Sequence, residues 1–270
     1  MTLGISSSTD SSRVSPTPRS KSARLTYIND RVREIGFVAV DDLVDELKVS
    51  RMTIHRDLDE LQTNGALRKV RGGASAHRST QFESDLQFRL NAEKEEKQRI
   101  AAAAAQFAHD GDVVLIDDST TALGLLPHLE ARAPFTVITN FLPVLERLSA
   151  NPQMNVIGLG GQYIARYAAF LGMICEENLS ALFADVAFLS TSSLKNGVLF
   201  HQDQQILATK RAMMEASDRR VLLMDHTKVG QAALFKLAEI SDFTHVVVDD
   251  KTDDTVVAMI RDQGIDVVVA

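Results

Sequence analysis

The stretch that decides the fold runs from residue 49 to 74, VSRMTIHRDLDELQTNGALRKVRGGA. Ser50 stands at the N-cap position of a helix expected from Arg51 to about Thr63, with Asn64-Gly65 to end it. Ile54, Leu58 and Leu61 recur at i, i+4 and i+7 and form the inward stripe. That leaves Arg51, Met52, Thr53, His55 and Arg56 on or near the open face. Upstream, Leu25, Ile28, Val32 and Ile35 repeat at helical spacing. VDDLVDEL (40–47) gives a second short helix with Leu43, Val44 and Leu47 inward, and Lys48-Val49-Ser50 is the connection. A short helix, a tight turn and a helix whose first turns are exposed is how a helix-turn-helix offers a recognition helix to a DNA major groove.

The segment after the third helix carries Arg68, Lys69 and Arg71 within four positions, then Gly72-Gly73, and residues 64–80 contain no acidic residue. A β-hairpin wing lying along phosphates needs this charge, because neutralising phosphates releases counterions and drives sequence-independent binding. Arg68, Lys69 and Arg71 are the expected phosphate contacts, and Thr53, His55 and Arg56 the candidates for base edges, with Ser50 and Arg51 completing the interface. The competing reading is a small three-helix packing domain with a solvated face.

The whole chain has 270 residues, a formal charge of −7, one cysteine, no tryptophan and 45% hydrophobic residues. Its acidity hides a split: residues 1–80 carry +3 and residues 81–270 carry −10. The length suggests two domains, and Cys175 has no cysteine to pair with, which fits a reducing cytoplasm. No membrane span or secretion leader is expected. Residues 1–23, rich in Ser, Thr and Pro, read as a disordered basic tail, 24–76 as the DNA-binding domain, and 77–96 as a linker.

From 97 to 270 the pattern is α/β. DVVLI (112–116), FTVIT (135–139), MNVIG (154–158), DVAFL (185–189), RVLLM (220–224), HVVVD (245–249) and DVVVA (266–270) read as buried strands. TALGLLPHLE, LPVLERLSA, QILATKRAMMEAS and DTVVAMIRDQG read as helices between them, the last ending at Gly264. The alternation implies βαβ units and a mostly parallel, Rossmann-like sheet with helices on both faces.

The string at 49–74 resembles the signature of the DeoR family of bacterial transcriptional regulators: Val-Ser, Thr-Ile, a basic pair, Asp-Leu, a Leu and a Gly, and a basic wing closed by Gly-Gly-Ala. His55 departs as the first member of the basic pair, which bears on the operator sequence. The resemblance covers roughly residues 24–270. It implies a winged helix-turn-helix joined to an effector domain similar to sugar-phosphate isomerases. It also implies a repressor that binds double-stranded operator DNA as a homo-oligomer, dimer or tetramer, and answers to a small phosphorylated sugar or related metabolite.

Ligands in open parallel sheets bind outside the carboxyl ends of the strands. Four loops are therefore the candidates for the effector: Asp117, Asp118, Ser119, Thr120 and Thr121; Thr139 and Asn140; Gly160 and Gly161; and Asp225 with Lys228. Amides at the helix start after Ser119 are a possible phosphate cradle, although Ser-Thr-Thr after a strand is also an ordinary cap. Ser119 stands where the family usually has Gly, and Ser190-Thr191-Ser192-Ser193-Leu194-Lys195 replaces its usual Gly-x-x-Gly-Ile-Asp. The alternative function is an isomerase-like enzyme using Asp117, Asp118, Asp225, His226 and Lys228 for proton transfer. No cofactor is implied, and the seven histidines show no metal-ligand spacing.

Overall fold

The computed structural model describes residues 20–63, 66–75 and 86–270. The first 19 residues of the expected tail, the Asn64-Gly65 stop and residues 77–85 of the expected linker lie outside them. The chain divides into two compact units, Met1–Ser79 and Thr80–Ala270.

The first unit contains α1 (Lys21–Ile35), β1 (Phe37–Ala39), α2 (Val40–Leu47), α3 (Arg51–Thr63), β2 (Arg68–Val70) and β3 (Gly73–Ser75). Ile28, Val32, Leu43, Leu47, Ile54, Leu58, Leu61 and Leu67 form its core. Ile35, the last residue of α1, is 52% exposed, so the inward stripe of that helix ends at Val32. Arg24 clamps α1 to α3 through two hydrogen bonds, 2.5 and 3.1 Å, to the buried Asp57. The wing strands β2 and β3 are antiparallel, and β1 adds to the other edge of β3. Gly72 turns the hairpin at φ +82, and at Gly73 a Cβ would lie 2.2 Å from the Val38 carbonyl oxygen, so only glycine lets the two strands meet.

The second unit opens with α4 (Leu86–Asn91) and α5 (Lys94–Ala104), where the sequence suggested a linker running to residue 96. Its central sheet, seven-stranded among the described residues, is parallel throughout. The strands are β4 (Val113–Ile116), β5 (Phe135–Thr139), β6 (Met154–Gly158), β9 (Ala184–Ser190), β12 (Ser217–Met224), β14 (His245–Val248) and β15 (Asp266–Val269), in the order β15-β14-β12-β9-β4-β5-β6. The sheet is covered on both faces: Val114 and Ile116 enter one core and Leu115 the other, as do Val186 and Phe188 against Ala187 and Leu189. Burial on both sides explains why the inner strands read as apolar runs, while the edge strands β6 and β15 are partly exposed.

The helix expected over 121–130 is two short ones, α6 (Thr120–Leu123) and α7 (Leu126–Glu130). Pro127 supplies no amide, and Gly124 sits where a Cβ would be 2.8 Å from the Cβ of Ala101 in α5. The remaining helices are α8 (Leu142–Leu148), α9 (Met173–Ser180), α10 (Gln204–Glu215) and α11 (Asp254–Arg261). The last ends three residues before Gly264, which turns the chain at φ +80. Two antiparallel elements were not foreseen. One is the hairpin β7 (Gln162–Ile164) and β8 (Ala169–Leu171); the other is a small sheet of β10 (Ser193–Lys195), β11 (Val198–His201) and β13 (Phe235–Glu239). Asn196 and Gly197, both at positive φ, make the tight turn between β10 and β11.

From β4 the chain adds β5 and β6 to one side, then crosses to add β9, β12, β14 and β15 to the other. The topological switch point therefore lies between β4 and β9.

Candidate functional site

In the first unit, the Ser50 hydroxyl accepts from the Thr53 amide at 3.1 Å and lies 2.9 Å from Thr53 Oγ1, which caps α3. Met52 is 66% exposed, Arg56 is exposed, and His55 is half-buried with an Nδ1 that meets no partner among the described residues. The basic side chains are in two states. Arg51 is paired with Asp41, and Lys69 with Asp59 at 2.6 Å, both on the surface. Arg56, Arg68 and Arg71 have no ion pair among the described residues. Pairs this exposed are worth about 0–1 kcal/mol, so Asp41 and Asp59 hold Arg51 and Lys69 only weakly.

In the second unit the candidate site is a pocket at the switch point with a cavity volume of about 70 Å³. Three adjacent strand ends build it: Asp118 to Thr121 after β4, Ser190 to Ser192 after β9, and Asp225 with Lys228 after β12. Arg89 of α4, Lys97 of α5, His201 of β11 and Lys210 of α10 complete the wall. These four, like Ser190 to Ser192, were not foreseen as site residues. Lys210 and Lys97 left a trace: each falls within the buried stripe of its helix, with Ile206, Leu207, Met213 and Met214 around one and Ile100, Ala101 and Ala104 around the other. A lysine on the apolar face of an amphipathic helix is the signal. For Arg89 the sequence offers none.

Asp117 is fully buried beneath the pocket rather than on its wall. Its carboxylate accepts from the Ser119 amide at 3.0 Å and the Ser190 amide at 2.7 Å and pairs with Lys210, locking β4, β9 and α10 together. Asp118, 3% exposed, lies 3.5 Å from Lys210 and 3.8 Å from Arg89. Against the burial that would raise it, Lys210 and Arg89 hold its carboxyl below the ordinary range. Burial, and then Lys228, push Lys97 down to about 7, and its Nζ donates to the Arg89 carbonyl at 2.6 Å. Burial and Lys210 push His201 down to about 4, so at neutral pH its Nδ1 accepts from the Asp203 amide at 3.1 Å. The proton then sits on Nε2. Lys228 has no ion pair or hydrogen-bond partner for its ammonium among the described residues, and the Asp225 carboxylate beside it accepts from the Thr227 amide at 3.0 Å.

The amide cradle after β4 is already filled. Ser119 Oγ accepts from the amides of Thr121 and Ala122, both at 3.1 Å, so the hydroxyl acts as a helix cap and takes the donors a phosphate would need. Thr139, Asn140, Gly160 and Gly161 are also placed differently from the expectation. They follow β5 and β6, on the far side of β4 from the switch point, and do not line the pocket. Thr139 donates to the Ile116 carbonyl at 2.8 Å, and Asn140 to that of Phe170 at 3.1 Å. Gly161 is required by packing, since a Cβ there would meet the Leu171 carbonyl oxygen at 2.6 Å. His226 lies outside the pocket wall and is held by Asp249 at 3.0 Å. Among the described residues no cluster of three His, Cys, Asp or Glu is arranged to hold a metal, and no helix is long and apolar enough to cross a membrane.

Residues 24–80 match the family model described as the DeoR-like helix-turn-helix domain, and 92–250 that of the DeoR C terminal sensor domain. The chain is similar to an uncharacterised HTH-type transcriptional regulator, YgbI, of Escherichia coli K12, with 30% identity over 92% of this chain and 97% of that protein. It is also similar to the L-fucose operon activator of Haemophilus influenzae, 31% identical over 83% and 90% of the two chains. A third relative is the lactose phosphotransferase system repressor of Staphylococcus aureus, 31% identical over 87% and 95%.

Proposed function

This chain belongs to the DeoR family of DNA-binding transcriptional regulators, and from that premise we propose that it is a cytoplasmic, homo-oligomeric repressor of a metabolic operon whose grip on DNA is set by a phosphorylated sugar or a related metabolite. In this reading α3 enters the major groove. Thr53, His55 and Arg56 face base edges, Met52 offers an apolar contact to a thymine methyl, and Arg68, Lys69 and Arg71 lie on phosphates.

The observation that carries the effector assignment is the convergence of Lys97 and Lys228, neither paired with a carboxylate within ion-pair distance, on one pocket walled by Thr120, Thr121, Ser190, Thr191, Ser192 and Gln202. A bound anionic group would meet the unpartnered Lys228 ammonium and draw a proton onto Lys97, whose burial otherwise favours the neutral amine, and the hydroxyl and amide side chains suit a polyol. Relatives named for lactose phosphotransferase and L-fucose operons support the sugar class. The catalytic alternative is weaker, because Asp117 is sealed under the pocket in its pair with Lys210, and His226 is held away from it.

The test measures operator binding by fluorescence anisotropy while sugar phosphates are added, with wild type and Lys228→Ala. A sugar phosphate that changes operator affinity in wild type and not in the variant supports the reading; turnover of any of them, lost in Lys228→Ala, overturns it in favour of an enzyme. For a dimer, footprints should repeat at about 10 base pairs or a multiple, and a reporter strain lacking the regulator should show raised expression.

A further inference from the structure

Four basic side chains reach the pocket, Arg89, Lys97, Lys210 and Lys228, and they are not equivalent. Lys210 is in contact with Asp117 and 3.5 Å from Asp118, and Arg89 is 3.8 Å from the same Asp118. These two cations and two carboxylates cancel. Lys97 and Lys228 have no carboxylate within ion-pair distance, although Asp225 acts on both and Glu93 on Lys97, and they are the basic groups of the pocket left for a ligand. Resting on the sugar-phosphate reading above, we propose that Asp118 is a built-in counter-anion: it occupies Arg89 and Lys210, leaves Lys97 and Lys228 for the ligand, and so selects an effector with a single anionic group over one with two.

The physical argument is one of displacement. A second phosphate or carboxylate on the ligand would have to reach Arg89 and Lys210, where it meets the Asp118 carboxylate as a like charge in a nearly dry setting. Asp118 cannot swing clear, because it is 3% exposed and its own backbone carbonyl accepts a hydrogen bond from the Arg89 guanidinium. That backbone bond also keeps Arg89 in place when the side chain is changed. Removing the charge of Asp118 therefore leaves a positioned guanidinium with no carboxylate and a buried ammonium paired only with Asp117, and opens a second anion subsite.

The test uses the full chain and pairs of sugars that differ by one phosphate: fructose 6-phosphate with fructose 1,6-bisphosphate, glucose 6-phosphate with glucose 1,6-bisphosphate, and ribose 5-phosphate with ribose 1,5-bisphosphate. Isothermal titration gives the ratio of bisphosphate to monophosphate Kd within each pair. In wild type the monophosphate of the bound pair should be the tighter ligand. In Asp118→Asn the ratio should fall at least about tenfold, the equivalent of about 1.4 kcal/mol, and Asp118→Ser should act the same way. Adding Arg89→Gln to Asp118→Asn should return the ratio toward the wild-type value. A wild type that prefers the bisphosphate overturns the proposal, as does a ratio unmoved in both folded variants. Monophosphate binding that is lost in Lys228→Ala while the Asp118 variants leave the ratio unmoved retires the counter-anion alone. If no compound binds wild type, the sugar-phosphate reading fails and the counter-anion with it.

Discussion

Lys97 shows how a residue's surroundings rather than its type set its chemistry. In the sequence it is one charge among many on KEEKQRI (94–100); in the fold it is 9% exposed on the inner side of α5, and burial brings its pKa from 10.5 to about 7. The sign of the linkage follows. Below pH 7 the ammonium is protonated in both the folded and unfolded chain. Between pH 7 and 10.5 only the unfolded chain holds the proton, so this group makes stability rise with pH by up to about 1.4 kcal/mol per unit. Urea unfolding at pH 7, 8 and 9 should show a shallower rise in Lys97→Met than in wild type; equal slopes would contradict the burial of the charge. On the DNA side, Arg56→Ala should cost about 1–3 kcal/mol at the operator and little on random DNA. Arg71→Ala should weaken both and reduce the salt slope by about one. Filter binding across a salt series separates the two roles, and equal losses on both DNAs would reverse the assignment. The types and order of these residues were legible from VSRMTIHRD and ALRKVRGGA. Which of them are free was not: Asp41 and Asp59, far enough away in sequence to give no signal, hold Arg51 and Lys69.

At the scale of elements, legibility tracked burial. The five inner strands of the central sheet were readable because both of their faces are covered, which forces an apolar run that no loop would carry, and the edge strands β6 and β15, partly exposed, kept enough of it. The three-residue strands β7, β8 and β10 were not, because a segment that short has no period to detect. Asn196-Gly197 was the one turn signal for them. In the wing, the glycine pair does two separate jobs, a positive φ at Gly72 and a contact with Val38 at Gly73. Gly73→Ala should therefore separate β3 from β1, lower the stability of the first unit by more than about 1 kcal/mol, and weaken DNA binding by displacing Arg71. Circular dichroism melting and anisotropy on the same variant check this, and a variant that melts and binds like wild type would show that the strands can yield.

At the scale of the molecule, the two units have separate cores, one built by α1 to α3 and the wing, the other by the sheet and its helices. Heating should give two calorimetric transitions, and an effector should raise only the one belonging to the larger unit, by mass action on its folded state. A single transition that moves as a whole would show that the units unfold together. The sequence by itself determined the two-part plan, because helix and strand periods are local and the change of sign from +3 to −10 follows the change of pattern. It also determined that β4, β9 and β12 end in polar, charged loops. Only the tertiary structure decided which loops meet. The crossing of the chain from β6 to β9 places three strand ends side by side and leaves Thr139, Asn140, Gly160 and Gly161 on the wrong side of β4. Helix packing then brings Arg89, Lys97 and Lys210 to the same spot from positions 29, 21 and 92 residues away from Asp118. Charge pairing across such distances has no local pattern, since it depends on the order of the strands rather than on any window of sequence.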